Sequence, residues 1–157
     1  MFDLINGVPL HPLVVHAIVV LLPLATLGTL AIVVRPAWRV RYGPLVVAAA
    51  AVSTALIPVA TASGEALEKR VGDPGHHAQL GDQLIWFAVP LLLTSAALVW
   101  LEWRATRQGK PSSHSVIRVV AALAVVAALA SAVQVYRVGD SGARAAWGDV
   151  PAATSSR

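Results

Sequence analysis

Residues 10–34 read Leu-His-Pro-Leu-Val-Val-His-Ala-Ile-Val-Val-Leu-Leu-Pro-Leu-Ala-Thr-Leu-Gly-Thr-Leu-Ala-Ile-Val-Val, with two histidines and no charged residue before Arg35. An apolar stretch of this length predicts a transmembrane helix, because about 20 helical residues cross the hydrocarbon core of a bilayer. The histidines, His11 and His16, stand near its beginning, where lipid meets water. Ionisable groups are costly at that depth, so both are candidate functional residues.

The composition of the whole chain is that of a membrane protein. Of its 157 residues, 57% are apolar and 13% are charged, whereas a soluble domain carries about 25% charged residues. The absence of cysteine excludes disulfides, thiolate metal sites and a cysteine nucleophile. Because the first eight residues contain Asp3 but no lysine or arginine, we expect no cleaved signal peptide and a first helix that is retained.

Four apolar spans of about 20 residues predict the fold. They cover residues 12–34, 44–62, 84–103 and 116–136. We therefore predict an all-α protein, an integral membrane four-helix bundle over residues 1–138 followed by a tail over residues 139–157. Alanine and serine are dense in the second and fourth spans and allow close helix packing. Pro44 is expected at the start of the second helix, where its missing N–H costs little.

Charge asymmetry predicts the orientation of the bundle. The connection Arg35–Gly43 carries three arginines, and the connection Arg104–Arg118 carries three arginines and one lysine, both without an acidic residue. Short basic connections are typically cytoplasmic. Both termini, the tail and the connection Ser63–Gln83 should then be extracytoplasmic, together with seven of the eight acids and four of the five histidines. We expect a multi-pass protein of the bacterial plasma membrane.

The connection between the second and third spans predicts an outer hairpin. Its first part is typical of a helix that continues to Val71, and Gly72-Asp-Pro-Gly75 is a strong turn signal. Helices two and three should therefore project beyond the lipid, with Glu65 roughly level with Asp82. Counting along the helices from the inner boundary places His16 near the height of that pair, and His11 about 7 Å farther out.

The outer ends of the helices thus gather imidazoles and carboxylates, and the candidate metal ligands are His11, His16, Glu65, His77 and Asp82. Imidazole with carboxylate suits zinc, copper, iron or nickel, and imidazoles on facing helices suit haem iron. The alternative for each residue is structural: a histidine solvated in the headgroup layer or a turn, and a carboxylate that charges a helix end. His11 and His16 lie about 140° apart on a helix, so one ion could bind both only if the helix began after His11.

Other chemistries find little support in the sequence. It contains no Gly-rich phosphate loop, nucleophile elbow or His-Glu-x-x-His motif, so we do not predict an enzyme that acts on its own. The basic connections face anionic lipid in the predicted orientation, and no nucleic-acid partner is expected.

Four local motifs resemble a known family. They are His11-Pro-Leu-Val-Val-His16, Gly64-Glu65, His77 before the third helix, and Val135-Tyr-Arg-Val-Gly139. They are similar to the bacterial membrane proteins grouped as domain of unknown function 2231, over nearly the whole chain. Members are four-helix proteins, some fused to Rieske or cytochrome domains, and are distantly similar to di-haem cytochrome b bundles. The resemblance implies His11, His16 and His77 as candidate ligands of haem b or a metal ion.

Two functions follow as expectations. The first is a small plasma-membrane protein whose outward-facing His/carboxylate cluster binds a metal ion or haem for electron transfer with a redox partner. The second is a non-catalytic accessory subunit of a larger membrane complex, in which the cluster is structural. The lipid bilayer is a partner in both, and homo-oligomerisation is left open.

Overall fold

The computed structural model describes residues 4–5, 8–72, 75–109 and 113–148. Within them the elements are β1 Leu4–Ile5, β2 Val8–Pro9, α1 Leu10–Val34, α2 Trp38–Val71, α3 His76–Gln83, α4 Ile85–Gln108 and α5 His114–Trp147. The strands β1 and β2 form a short antiparallel hairpin directly before α1. Four segments are long and apolar enough to cross a membrane: α1, α2, α5, and α3 together with α4. The predicted all-α fold with four long apolar helices is confirmed.

The helices form an antiparallel bundle with a square cross-section. Helix α1 packs mainly against α2 and α5, and α4 packs against the same two neighbours, so α1 and α4 lie on a diagonal. The centre holds one cluster of apolar side chains, among them the fully buried Leu22, Ala50, Leu91 and Ala128. The exposed faces of the same helices are also apolar, with Leu27 and Leu93 more than half exposed. An apolar exterior of this kind is suited to lipid.

Three serines buried between the helices are paired with carbonyl groups. Ser53 Oγ donates to Ala49 O at 2.7 Å within α2, and Ser95 Oγ donates to Leu92 O at 3.0 Å within α4. Ser131 Oγ reaches across from α5 to Phe87 O of α4 at 2.9 Å. Such residues let helices approach closely and satisfy their own polar groups in a medium without water.

The two ends of the bundle differ in their ionisable residues. We call the end formed by the start of α1, the end of α2, α3 and the end of α5 the histidine end. We call the opposite end, formed by residues 35–43, 100–109 and 113–118, the arginine end. Helix α2 ends at Val71 as predicted, and Gly72 and Gly75 have φ values of 98° and 60°, which favour glycine. Asp73 and Pro74 of the predicted turn lie outside the described residues.

The prediction that Pro44 starts a helix is wrong. Only residues 35–37 connect α1 to α2, which begins at Trp38, so Pro44 lies inside the helix. Its missing N–H leaves the carbonyl of Val40 without the usual helical donor. The basic segment that the sequence suggested as a connection is helical because it is anchored there: the Arg39 guanidinium binds the last carbonyls of α1.

Helix α5 continues well beyond the fourth apolar span, to Trp147. The first part of the predicted tail, residues 139–147, therefore forms part of the helix and contributes to the histidine end. Residues 149–157 lie outside the described part of the chain.

Candidate functional site

A cavity of about 540 Å³ opens at the histidine end, between α1, α2, α3, Leu84 before α4 and the end of α5. Most of its wall is apolar and includes Val15, Ile18, Ile57, Leu84 and Val135. Its ionisable side chains are His11, Glu65, Glu68, His77 and Asp82. A volume of this size falls in the range of roughly 300–1,000 Å³ that is typical of small-molecule and cofactor sites.

The imidazole of His11 is held against α2. It lies in the first turn of α1, and its Nδ1 is 2.8 Å from the carbonyl oxygen of Ala60. A carbonyl only accepts hydrogen bonds, so Nδ1 carries a proton, and in the neutral imidazole Nε2 is the nitrogen with the lone pair. Gly64 makes room for the ring, because a Cβ there would lie 3.1 Å from two ring atoms. Among the described residues no other hydrogen bond reaches this imidazole.

The imidazole of His77 is held in the same way against α5. Its Nδ1 lies 3.2 Å from Ser141 Oγ, whose own proton is donated to Val138 O at 2.9 Å. The hydroxyl therefore accepts from Nδ1, and in the neutral imidazole of His77 Nε2 is again the nitrogen with the lone pair. Gly142 faces this ring, since a Cβ there would lie 3.0 Å from Cε1 of His77.

Three carboxylates line the cavity with the two histidines. Glu65 and Asp82 are exposed and Glu68 is partly buried. Negative charge at the mouth of a cavity favours a cation or a cationic state of whatever binds inside it. The structure thus places His11, Glu65, His77 and Asp82, four of the five candidate ligands, along one cavity.

His16 stands apart from this group. Its ring is exposed, its Nδ1 bonds back to the carbonyl of Pro12 in the same helix, and it is not among the lining residues. Because α1 begins at Leu10, His11 and His16 are both helical and point in different directions. His76, next to His77, is also exposed and outside the lining.

The predicted heights of the two histidines were wrong. His11, not His16, is level with Ala60 and Gly64 of α2, next to Glu65. The prediction counted from Pro44, whereas α2 begins at Trp38, six residues earlier. Six residues of helix correspond to about 9 Å, enough to account for the roughly 7 Å by which His11 was placed too far out.

Sequence reasoning missed the residues that hold the His77 imidazole against α5. Gly142 and Ser141 lie in a segment that we predicted to be a tail. No local sequence pattern links them to His77, which is more than 60 residues away. Gly64 was noticed only through the family motif. In the described parts of the chain, no group of three or more histidine, aspartate or glutamate side chains is close enough to hold one metal ion.

The fold and the cavity together define a class: four-helix multi-pass membrane proteins with a histidine-lined cavity at one end of the bundle. Comparison with family models gives a closer assignment. The chain belongs to the DUF2231 family, described as predicted membrane proteins, whose model matches residues 7–154. The match confirms the resemblance inferred from the local motifs. No curated protein and no solved structure matches the chain.

Proposed function

We propose that the cavity at the histidine end binds a haem or a metal ion through His11 and His77, and that the protein serves membrane electron transfer. One observation carries the proposal. Two imidazoles from different helices line the same cavity, and each donates its Nδ1 proton to an oxygen of a further helix. Metal-bound histidines hold their second ring nitrogen in this way, which orients the ring and increases the basicity of Nε2.

The residues fit a haem better than a bare ion. A transition-metal ion in a closed protein site takes about four protein ligands. A haem needs only axial ligands from the protein, for which histidine is common. The mainly apolar wall of the cavity also suits a macrocycle. When bound, a haem supplies a one-electron redox centre.

The carboxylates and glycines have separate roles in this proposal. Glu65, Glu68 and Asp82 favour positive charge in the cavity, and so the oxidised state of the cofactor. Gly64 and Gly142 let the imidazoles lie close to α2 and α5. The exposed side chains at the mouth would meet a redox partner on the extracytoplasmic side, which is the side that the positive connections assign to this end.

The test is the absorbance of full-length protein purified in mild detergent from cells supplied with a haem precursor, with elemental analysis of the same sample. We expect a Soret band in the parent that falls at least about tenfold in His11→Ala and in His77→Ala. His16→Ala and His76→Ala are matched controls, because each removes an imidazole from the same helix as a candidate ligand but outside the cavity. Both controls should keep the band.

Two results would contradict the proposal. The first is a folded parent, judged by a cooperative thermal transition, with neither a Soret band nor bound metal. The accessory-subunit function would then be favoured, because the same imidazoles also join helices together. The second is loss of the band in His16→Ala but not in His11→Ala.

A further inference from the structure

A second cavity, of about 470 Å³, lies at the arginine end on the outside of the bundle. It is a groove between α2 and α4 with small and apolar walls, among them Val47, Ala48, Ala51 and Ala96. The two helices are in tight contact beside it, since a Cβ at Gly43 would overlap the Val99 side chain. The groove therefore opens sideways from the bundle, where the surrounding surface is apolar and faces lipid.

An arginine guanidinium group stacks on each of two tryptophans that line the groove. Trp100 and Trp103 both line it. Arg104 Cζ lies 5.3 Å from the ring centroid of Trp100, and Arg107 Cζ lies 3.8 Å from that of Trp103. Stacking on an indole orients a guanidinium while leaving its N–H donors available in its plane. The apolar groove thus lies beside two oriented guanidinium cations.

The positive charge of this end is not neutralised by its own acidic residues. Glu102 is the one acid in the sequence of residues 35–43 and 100–118. Its Oε2 is already bonded to Arg39 Nη1, at 3.2 Å. The two stacked arginines therefore attract anions from outside the protein.

We propose that the groove binds one anionic phospholipid, with an acyl chain between α2 and α4 and the phosphate on Arg104 and Arg107. Guanidinium groups bind phosphate with paired, charge-assisted hydrogen bonds. A zwitterionic lipid would bring its own cation toward the arginines. A second copy of this chain docked symmetrically on the groove would oppose four arginines, so charge disfavours a dimer there.

The test uses full-length protein in mixed micelles, with tryptophan fluorescence quenched by brominated phosphatidylglycerol or brominated phosphatidylcholine. We expect phosphatidylglycerol to bind more tightly. The Arg104→Gln/Arg107→Gln variant should lose about fivefold in affinity per arginine. The Arg41→Gln/Arg118→Gln variant is the matched control, because it removes two exposed arginines of the same end that do not stack on the groove tryptophans.

A second pair of variants tests the apolar groove. Ala48→Leu fills the groove, whereas Ala122→Leu adds the same volume at an exposed position on α5. Only Ala48→Leu should weaken quenching. Equal affinity for the two lipids, equal losses in the two arginine variants, or unaltered quenching in a folded Ala48→Leu protein would each overturn the proposal. A concentration-dependent dimer that Ala48→Leu dissociates would also overturn it, in favour of a second copy.

Discussion

Each histidine of the cavity is held by two features of a neighbouring helix: an oxygen that accepts its Nδ1 proton and a glycine beside its ring. Glycine inside a helix is less stable than alanine by about 0.5–1 kcal/mol. At Gly64 and Gly142 that cost allows an imidazole to lie against the helix backbone. We therefore do not expect glycine-to-alanine substitutions at these two positions to stabilise the protein as they usually do inside a helix.

Gly142 and Gly139 give a direct comparison within one turn of α5. A Cβ at position 142 would press on His77, whereas a Cβ at position 139 would meet nothing within 4 Å. We expect Gly139→Ala to raise the free energy of unfolding by about 0.5–1 kcal/mol. Gly142→Ala should be neutral or destabilising, because the same gain is offset by displacement of the imidazole. The measurement is unfolding of the full chain in detergent.

The double variant Gly142→Ala/His77→Ala serves as the control for this comparison. Without the ring, alanine at position 142 should become stabilising relative to His77→Ala alone. Equal stability changes for the two single glycine variants would show that His77 does not press on α5 at this point.

At the scale of the helices, one side chain joins three of them at the arginine end. Arg39 of α2 is 4% exposed, and its Nε donates to the carbonyl of Ile32 at the end of α1 at 2.9 Å. Its Nη1 donates to Glu102 of α4 at 3.2 Å. A helix end in a medium without water needs partners for its last carbonyls, and Arg39 supplies them.

Removal of the Arg39 guanidinium should therefore lower the free energy of unfolding more than removal of the charge on Glu102. Arg39→Met leaves Glu102 and the carbonyls of α1 without donors, and we expect a loss of about 2–3 kcal/mol in the free energy of unfolding. This value is below that of a fully buried pair because the Glu102 side chain is 28% exposed. Glu102→Gln keeps an acceptor for the guanidinium and should cost about 1 kcal/mol.

Arg41→Met, two residues along α2 and exposed, is the matched control and should change stability by less than about 0.5 kcal/mol. All three variants would be measured by unfolding in the same detergent. A loss in Arg41→Met as large as that in Arg39→Met would mean that net charge, not the buried contacts, stabilises this end.

Another contact between elements holds α3 in place. The helix is interrupted at Leu84, whose N–H bonds to Gly81 O at 3.1 Å, so the carbonyl of Leu80 loses its helical donor. The buried Gln134 of α5 supplies one, with its Nε2 at 3.0 Å from that oxygen. This bond positions α3, and with it His77, against α5.

At the scale of the whole molecule, the distribution of charge predicts which end faces the cytoplasm. The arginine end carries a strong excess of basic residues and should remain inside. The chain has no cysteine, so single cysteines can report the orientation. We expect Lys69→Cys at the histidine end to react with a membrane-impermeant maleimide added to intact cells, and Ser113→Cys to react only after the membrane is opened.

Both positions are exposed, so unequal reaction cannot come from burial within the bundle. Labelling of the two variants after solubilisation in detergent provides the reference. Reaction of Ser113→Cys in intact cells, with protection of Lys69→Cys, would reverse the predicted orientation and place the histidine cavity in the cytoplasm.

The sequence by itself determined the class of fold, the number of long helices and the end of α2 at Val71. These features depend on local properties: the length of apolar runs, the identity of turn residues and the distribution of charge. The family motifs also marked His11 and His77. Local patterns are sufficient to predict these features because the bilayer requires a similar length and a similar apolar character of every helix that spans it.

Only the tertiary structure decided which helix faces meet and at what height. It placed His11 at the level of Gly64 because α2 begins six residues before the apolar boundary. It left His16 exposed because His16 lies about 140° around α1 from His11. It also made α5 part of the cavity wall through Ser141 and Gly142. Helix register depends on side-chain contacts between segments far apart in the chain, such as Gly43 with Val99, and an apolar run carries no mark of its partner's register.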